Sequence, residues 1–178
     1  MTSKQIAILG SSDLGLVGDI ADTLYELGAE LAKRECIVLA GSCGGIGSTV
    51  SKAAKEEGSF TIGISPYQSC QEHKEKHGDE SECFNSFIYT GSGFKGRNVI
   101  LVNSADAVIA ICGQVGTLNE LTIAHDIGRP IGLLTNTGGI ADTFENVLRL
   151  IKVDKKTSIV QSQNPGELLD RLVSMLVG

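Results

Sequence analysis

Tryptophan is absent from this sequence, and aromatic residues make up only 4% of its 178 positions. With so few rings on which nucleic-acid bases could stack, we expect stacking not to be the basis of binding. Positive charge is also scarce, since 15 Lys and Arg face 21 Asp and Glu and the formal net charge is −6. Binding to DNA, RNA or acidic membranes depends on clustered cations, so the composition argues against a nucleic-acid polymer and against a membrane as partner.

Long apolar runs are missing as well. None approaches the length of a membrane span, and the first ten residues lead directly into an apolar strand without the regions of a signal peptide. The five cysteines are odd in number and two lie in or beside strand-like runs, which favours reduced thiols over disulfides. These features predict a cytoplasmic protein with one domain over residues 1–178.

Short apolar runs and amphipathic helix patterns alternate along the chain. Strands are predicted at 5–9, 36–40, 59–64, 85–89, 107–111, 131–134 and 158–160. Helices are predicted at 17–34, from about 47, around 99–102, from about 117, at 141–151 and at 165–177, with a polar interruption at 68–82. This order predicts an α/β fold with a doubly wound, mostly parallel sheet and helices on both faces.

Glycine is plentiful where the predicted strands end. The first strand leads into Gly10, Ser11 and Ser12, and the second into the segment 41–47, where four of seven residues are glycine. Glycine inside regular structure costs ~1 kcal/mol relative to alanine, so such a cluster indicates a sharp turn or a close approach to a ligand. A helix starting at about Gly47 would direct free N–H groups at a phosphate, and a tight turn without a ligand is the alternative.

The segment 104–130 combines a buried strand, a glycine turn and a helix start. Thr117 is predicted to cap a helix that carries Glu120 on its first turn. Because the turns after the first, second, fourth and fifth strands meet at one edge of the sheet, they converge on one ligand. The predicted ligand-binding residues are Gly10, Ser11, Ser12, Gly44, Gly45, Gly47, Gly113, Gln114, Val115, Gly116 and Thr117.

Arg97 and Glu120 are the candidate catalytic residues, each near the start of a predicted helix. An arginine can hold a phosphate, and a carboxylate beside a sugar can position water or stabilise an oxocarbenium-like centre. A surface ion pair or a helix-capping Glu is the alternative. None of the turns matches the P-loop or the dinucleotide fingerprint, so an ATPase and a nicotinamide dehydrogenase are poor fits, and we expect no cofactor.

The run CGQVGTLNE, from Cys112 to Glu120, resembles the PGGxGTxxE segment of the LOG family in the SLOG superfamily. The run GGIG and the following ISP resemble that family's glycine-rich turn and next strand, so the resemblance covers about residues 6–134. These Rossmann-like proteins were long labelled lysine decarboxylases, and characterised members are cytokinin riboside 5'-monophosphate phosphoribohydrolases. The resemblance implies catalytic roles for Arg97 and Glu120 and a homodimer or higher homo-oligomer with residues of both chains near the pocket.

Three residues depart from that pattern, because Cys112, Gln114 and Asn98 stand where the enzymes have Pro, Gly and usually Lys. The turn looks closer to the branch with the molybdenum-cofactor carrier and DNA-processing-A-like proteins, which bind nucleotide-like or phosphate ligands. Two functions therefore follow. The chain binds a nucleotide or other phosphorylated small molecule without catalysis, or it cleaves the N-glycosidic bond of a nucleoside 5'-monophosphate to free base and ribose 5-phosphate.

The polar interruption at 68–82 and its flank raise a separate hypothesis. Its four potential ligands, Cys70, His73, His77 and Cys83, have the spacing C-x2-H-x3-H-x5-C, which can hold zinc. The segment is strongly charged, and four such residues in a polar stretch can arise by chance. We therefore predict no metal site and keep zinc as the alternative.

Overall fold

The structure, a computed structural model, describes residues 3–13, 15–18, 20–154 and 157–176. Its strands are β1 (Gln5–Gly10), β2 (Ile37–Gly41), β3 (Thr61–Ser65), β4 (Ser86–Tyr89), β5 (Ala107–Ile111), β6 (Ile131–Leu134) and β7 (Ile159–Ser162). Its helices are α1 (Gly15–Gly18), α2 (Ala21–Lys33), α3 (Gly45–Glu56), α4 (Cys70–His77), α5 (Gly93–Asn103), α6 (Val115–Asp126), α7 (Gly139–Leu150) and α8 (Pro165–Ser174). Within the described ranges, no helix combines the length and the apolar composition that a bilayer crossing requires.

All seven strands form one parallel sheet in the order β4-β3-β2-β1-β5-β6-β7. The predicted α/β fold with a parallel sheet is thereby confirmed. The chain builds outward from β1 to β4, then crosses back to place β5 against β1, with Gly10 opposite Ile111. The strand order therefore reverses between β1 and β5, and open α/β sheets bind ligands beyond the carboxyl ends of the strands at such a point.

Helices cover both faces of the sheet because successive residues of each strand point to opposite sides. In β1, Ile6 and Ile8 pack in one apolar cluster with residues of α2, α3 and α8. Their neighbours Ala7 and Leu9 pack in a second cluster with residues of α5, α6 and α7. The central strand β5 is buried along its whole length, which explains its uninterrupted apolar sequence.

Two local predictions were wrong, namely the single helix at 17–34 and the capping role of Thr117. The helix predicted at 17–34 is divided into α1 and α2, with residue 19 outside the described residues. The polar interruption contains α4, which is held by local bonds rather than an apolar face: Ser69 caps the Glu72 N–H, and the Glu72 carboxylate accepts from the Gln68 N–H. Helix α6 begins at Val115, so Thr117 lies inside its first turn and is not its cap.

Candidate functional site

A cleft of about 170 Å³ opens at the carboxyl edge of the sheet, where β1 and β5 adjoin. Its walls come from the turn after β1, the first two turns of α5 and the start of α6. The lining residues are Gly10, Ser11, Ser12, Cys43, Phe94, Lys95, Arg97, Asn98, Gln114, Gly116, Thr117 and Glu120. A smaller pocket of about 30 Å³ shares Arg97 and Glu120 and reaches Gly44 and Gly47.

The turn after β1 packs closely on the start of α3. A Cβ on Gly10 would lie 2.7 Å from the Ile46 side chain, and the Ile46 N–H donates to the Ser11 carbonyl at 3.0 Å. Gly45 has φ +71° and a Cβ there would overlap the backbone of Ser11 and Ser12. Glycine at these two positions therefore allows two backbone turns to meet beneath the cleft.

Arg97 and Glu120 meet across the cleft floor, with Arg97 Nη1 3.1 Å from Glu120 Oε1. Both side chains are largely buried, at 13% and 6% exposure. The Arg97 guanidinium lies against the last residue of β2, Gly41, where a Cβ would overlap it. Among the described residues the Arg97 Nε has no hydrogen-bond partner.

The Asn98 amide lies 2.9 Å from both Glu120 Oε1 and Asn119 Oδ1. With its nitrogen turned toward Glu120, it donates to that carboxylate and to the Phe94 carbonyl. This neutral donor stands where the LOG enzymes usually carry a lysine. A neutral amide stabilises a carboxylate less than a cation does.

The pKa of Glu120 is raised to about 7, because burial penalises the charged carboxylate more than Arg97 and Lys95 stabilise it. A carboxyl group with such a pKa exchanges its proton near neutral pH, which suits a general acid or base. The same buried Arg–Glu arrangement could also serve only to hold the two helices in place.

The start of α6 lines the cleft through Gln114, Gly116 and Thr117, and among the described residues the side chain of the N-cap residue, Gln114, makes no capping hydrogen bond. The strand turns into this helix through Cys112 at φ +51° and Gly113 at φ +87°. A proline is locked near φ −65°, so the turn differs here from one that begins with Pro. The Cys112 N–H donates to Thr137 Oγ1 at 2.8 Å, which supports the unusual backbone.

The glycine turn before α3 is occupied from within the chain. Glu80, which follows α4, accepts hydrogen bonds from the Gly44 N–H at 2.7 Å and from Ser48 Oγ at 2.9 Å. A carboxylate therefore sits at the N-terminus of α3, the position where a phosphate was expected. The start of α3 is therefore occupied by the Glu80 carboxylate, whereas the described residues place no carboxylate at the start of α6.

Arg97 and Glu120 and six of the predicted ligand-binding residues meet in the cleft. Those six are Gly10, Ser11, Ser12, Gln114, Gly116 and Thr117. Gly44 and Gly47 line the smaller pocket, whereas Gly45 and Gly113 serve close packing and Val115 is 73% exposed. Cys43, Phe94, Lys95 and Asn98 also line the cleft and were not predicted as site residues.

The candidate zinc ligands do not come together. In the part of the chain that the structure describes, no group of three or more His, Cys, Asp or Glu side chains has a metal-binding arrangement. His73 Nδ1 is instead 2.9 Å from Ser65 Oγ, and Cys70 is exposed while Cys83 is buried. All five cysteines are free thiols.

A seven-stranded parallel sheet in this order, with a cleft at its reversal point, defines a Rossmann-like α/β protein. Within that class the chain belongs to the SLOG cluster4 family, whose model matches residues 3–169. The resemblance drawn from the CGQVGTLNE and GGIG runs is thereby confirmed at the level of the superfamily.

Three relatives illustrate the relationship. Rice (Oryza sativa subsp. japonica) cytokinin riboside 5'-monophosphate phosphoribohydrolase LOG is 28% identical over 182 residues, covering 95% of this chain and 72% of the rice protein. The molybdenum cofactor binding protein of Rippkaea orientalis is 27% identical, with a TM-score of 0.74 over 100% of this chain and 99% of that one. A structural-genomics target protein is 28% identical, with a TM-score of 0.82 over 97% of this chain and 99% of that one.

More distant structures share the fold. DNA processing protein A of Helicobacter pylori, described as binding single-stranded DNA, is 18% identical with a TM-score of 0.64 over 98% of this chain and 82% of that one. At this identity the likeness shows the fold alone. The absence of a nucleic-acid partner, which was inferred from the charge of the chain, stays a prediction.

Proposed function

We propose that this protein binds a small phosphorylated ligand, such as a nucleotide, in the cleft between β1 and β5. The observation that carries the proposal is the uncapped start of α6, which lines one cavity together with the cations Lys95 and Arg97. A helix N-terminus and two cations form an anion site in which backbone N–H groups and side chains act on the same group. Ser11 and Ser12, which carry hydroxyl groups, line the same cleft.

The named relatives support a ligand of this kind. The rice protein is named for a riboside 5'-monophosphate, and the Rippkaea protein is named for binding a cofactor. The likeness to each spans nearly the whole of this chain, so the cleft lies within the shared region.

Calorimetric titration with ribose 5-phosphate, AMP and adenosine tests the proposal. We expect both phosphorylated compounds to bind and adenosine to bind at least tenfold more weakly, because it lacks the group that α6 would hold. Lys95→Ala should weaken AMP binding by about fivefold or more. The matched control is Lys33→Ala, which removes the same charge from an exposed side chain in the last turn of α2, at the opposite edge of the sheet. Equal affinity for AMP and adenosine would contradict the proposal.

A second candidate function is hydrolysis of a nucleoside 5'-monophosphate, and the observation in its favour is the raised pKa of the buried Glu120 beside Arg97. In that reaction the bond from ribose C1' to the base breaks, the hydroxyl of water goes to C1' and its proton to the base. Ionised Glu120 would position the water and stabilise positive charge at the ribose, while Arg97 would hold the ligand.

Incubation with a panel of nucleoside 5'-monophosphates, followed by chromatography for free base and ribose 5-phosphate, separates the two functions. The hydrolase predicts turnover that Glu120→Gln and Arg97→Ala both abolish, with AMP binding retained in Glu120→Gln. If nucleotides bind but no member of the panel releases its base, the binding function is supported and this hydrolase activity is excluded.

A further inference from the structure

Glu80 is held rigidly in the position of a bound anion. Beyond its bonds to the Gly44 N–H and Ser48 Oγ, its own carbonyl accepts from the Cys83 and Phe84 N–H groups. Lys55 Nζ fastens the same turn by donating to the Ser81 carbonyl at 2.7 Å. The Glu80 side chain is 13% exposed, so a ligand would have to break a buried, charge-assisted contact to displace it.

The other Glu80 oxygen, Oε2, makes no such contact. Glu80 Oε2 is buried without a hydrogen-bond partner among the described residues, and the nearest ionisable nitrogen is His73 Nε2 at 3.8 Å. Burial lowers the pKa of His73, which keeps its ring neutral at pH 7. The Glu80 carboxylate thus lies next to Gly44, which lines the smaller pocket, and the neutral His73 ring does not offset its charge.

We propose that Glu80 is an internal anion that fills the N-terminus of α3 and thereby restricts the cleft to ligands with a single phosphate group. The inference rests on the proposed function and deepens it. One phosphate at the start of α6 satisfies the free anion site. A second phosphate extending toward α3 would enter the smaller pocket, where the Glu80 carboxylate already occupies the Gly44 N–H and would repel it.

Chemical rescue tests whether Glu80 acts as an anion at this helix start, independently of any ligand. Glu80→Ala should lose thermal stability and regain part of it with sodium formate, at least twice the rise in melting temperature that sodium chloride gives. The matched control is Glu82→Ala. It removes an exposed carboxylate that lies in the same turn as Glu80 and pairs with Lys52 of α3. Wild-type protein and Glu82→Ala should respond equally to the two salts. Equal responses from Glu80→Ala as well would overturn the assignment.

Titration with AMP and ADP tests the restriction itself. Wild-type protein should bind AMP at least tenfold more tightly than ADP, and Glu80→Gln, which keeps the acceptor and removes the charge, should narrow that ratio at least threefold. An unchanged ratio in Glu80→Gln, or equal binding of AMP and ADP by the wild type, would overturn the proposal. Binding of neither nucleotide would overturn the proposed function and the restriction with it, while the formate experiment would still decide the role of Glu80 at α3.

Discussion

Folding shifts the pKa of Glu120 into the neutral pH range. Its pKa rises from 4.5 to about 7. Between those values the folded chain holds a proton that the unfolded chain has released, so the free energy of unfolding falls as the pH rises from 4.5 to 7. Glu120→Gln removes this pH-dependent loss of stability, and we expect it to be more stable than the wild type at pH 8 by about 3 kcal/mol and nearly equal to it at pH 4.5.

Urea unfolding at several pH values between 4.5 and 8 measures the difference. Glu82→Gln, which changes an exposed carboxylate, is the control, and its free energy of unfolding should depend on pH as that of the wild type does. A Glu120→Gln chain that is less stable than the wild type at pH 8 would mean that Arg97 stabilises the carboxylate more than burial destabilises it.

Gly41 determines where Arg97 lies, because a Cβ at this position would overlap the guanidinium. We expect Gly41→Ala to displace the flexible arginine tip from Glu120 and to weaken AMP binding by about fivefold, with a loss of stability of only ~1 kcal/mol. Calorimetry and urea unfolding measure the two effects. Gly18→Ala is the control, since a Cβ there would meet no atom of the described residues within 4 Å. Unchanged AMP binding in Gly41→Ala would show that the arginine position is immaterial.

Helices α2 and α3 cross closely at Gly28. A Cβ there would lie 2.5 Å from Ala53 Cβ and 2.9 Å from the Val50 carbonyl oxygen, and the α3 backbone cannot yield easily. We expect Gly28→Ala to destabilise the protein by about 1–3 kcal/mol, although alanine alone would favour the helix by ~1 kcal/mol. The midpoint of urea unfolding measures the net change in stability from the steric overlap and the helix propensity. A stabilised Gly28→Ala chain would show that the helices can separate without loss.

At the scale of elements, strands were easier to predict than helix starts. The prediction of β5 matches the structure because a strand buried on both faces is apolar throughout. The start of α6 was misplaced by about two residues because the helix begins where Gly113 and Cys112 adopt positive φ, and a cysteine gives no sign of that conformation. Helix α4 has no apolar face to reveal it, since side-chain caps and i,i+4 pairs such as Lys76–Glu72 stabilise it.

At the scale of the whole molecule, a homodimer stays a prediction that the resemblance implies. The neighbouring helices α5 and α6 and the residue that follows α6 expose apolar side chains that a second copy could cover, namely Phe94, Val99, Val115 and Ile127. We expect a dimer at micromolar concentration in light scattering, and Val99→Asp should convert it to a monomer because a buried charge opposes association. Leu150→Asp, at an 81% exposed side chain of α7, is the control and should remain dimeric. A monomeric wild type would refute the prediction.

The sequence by itself determined the parallel α/β fold, the edge of the sheet where turns converge, and the placement of Arg97 and Glu120 near that edge. These follow from local periodicity and from the rule that the carboxyl ends of parallel strands share one edge. Only the tertiary structure decided which glycine turn already binds a carboxylate of the chain itself. Glu80 lies 36 residues from Gly44 and reaches it through the path of α4 and the turn that follows. Local patterns carry no information about such a contact, because burial and charge at a site depend on every segment that folds against it.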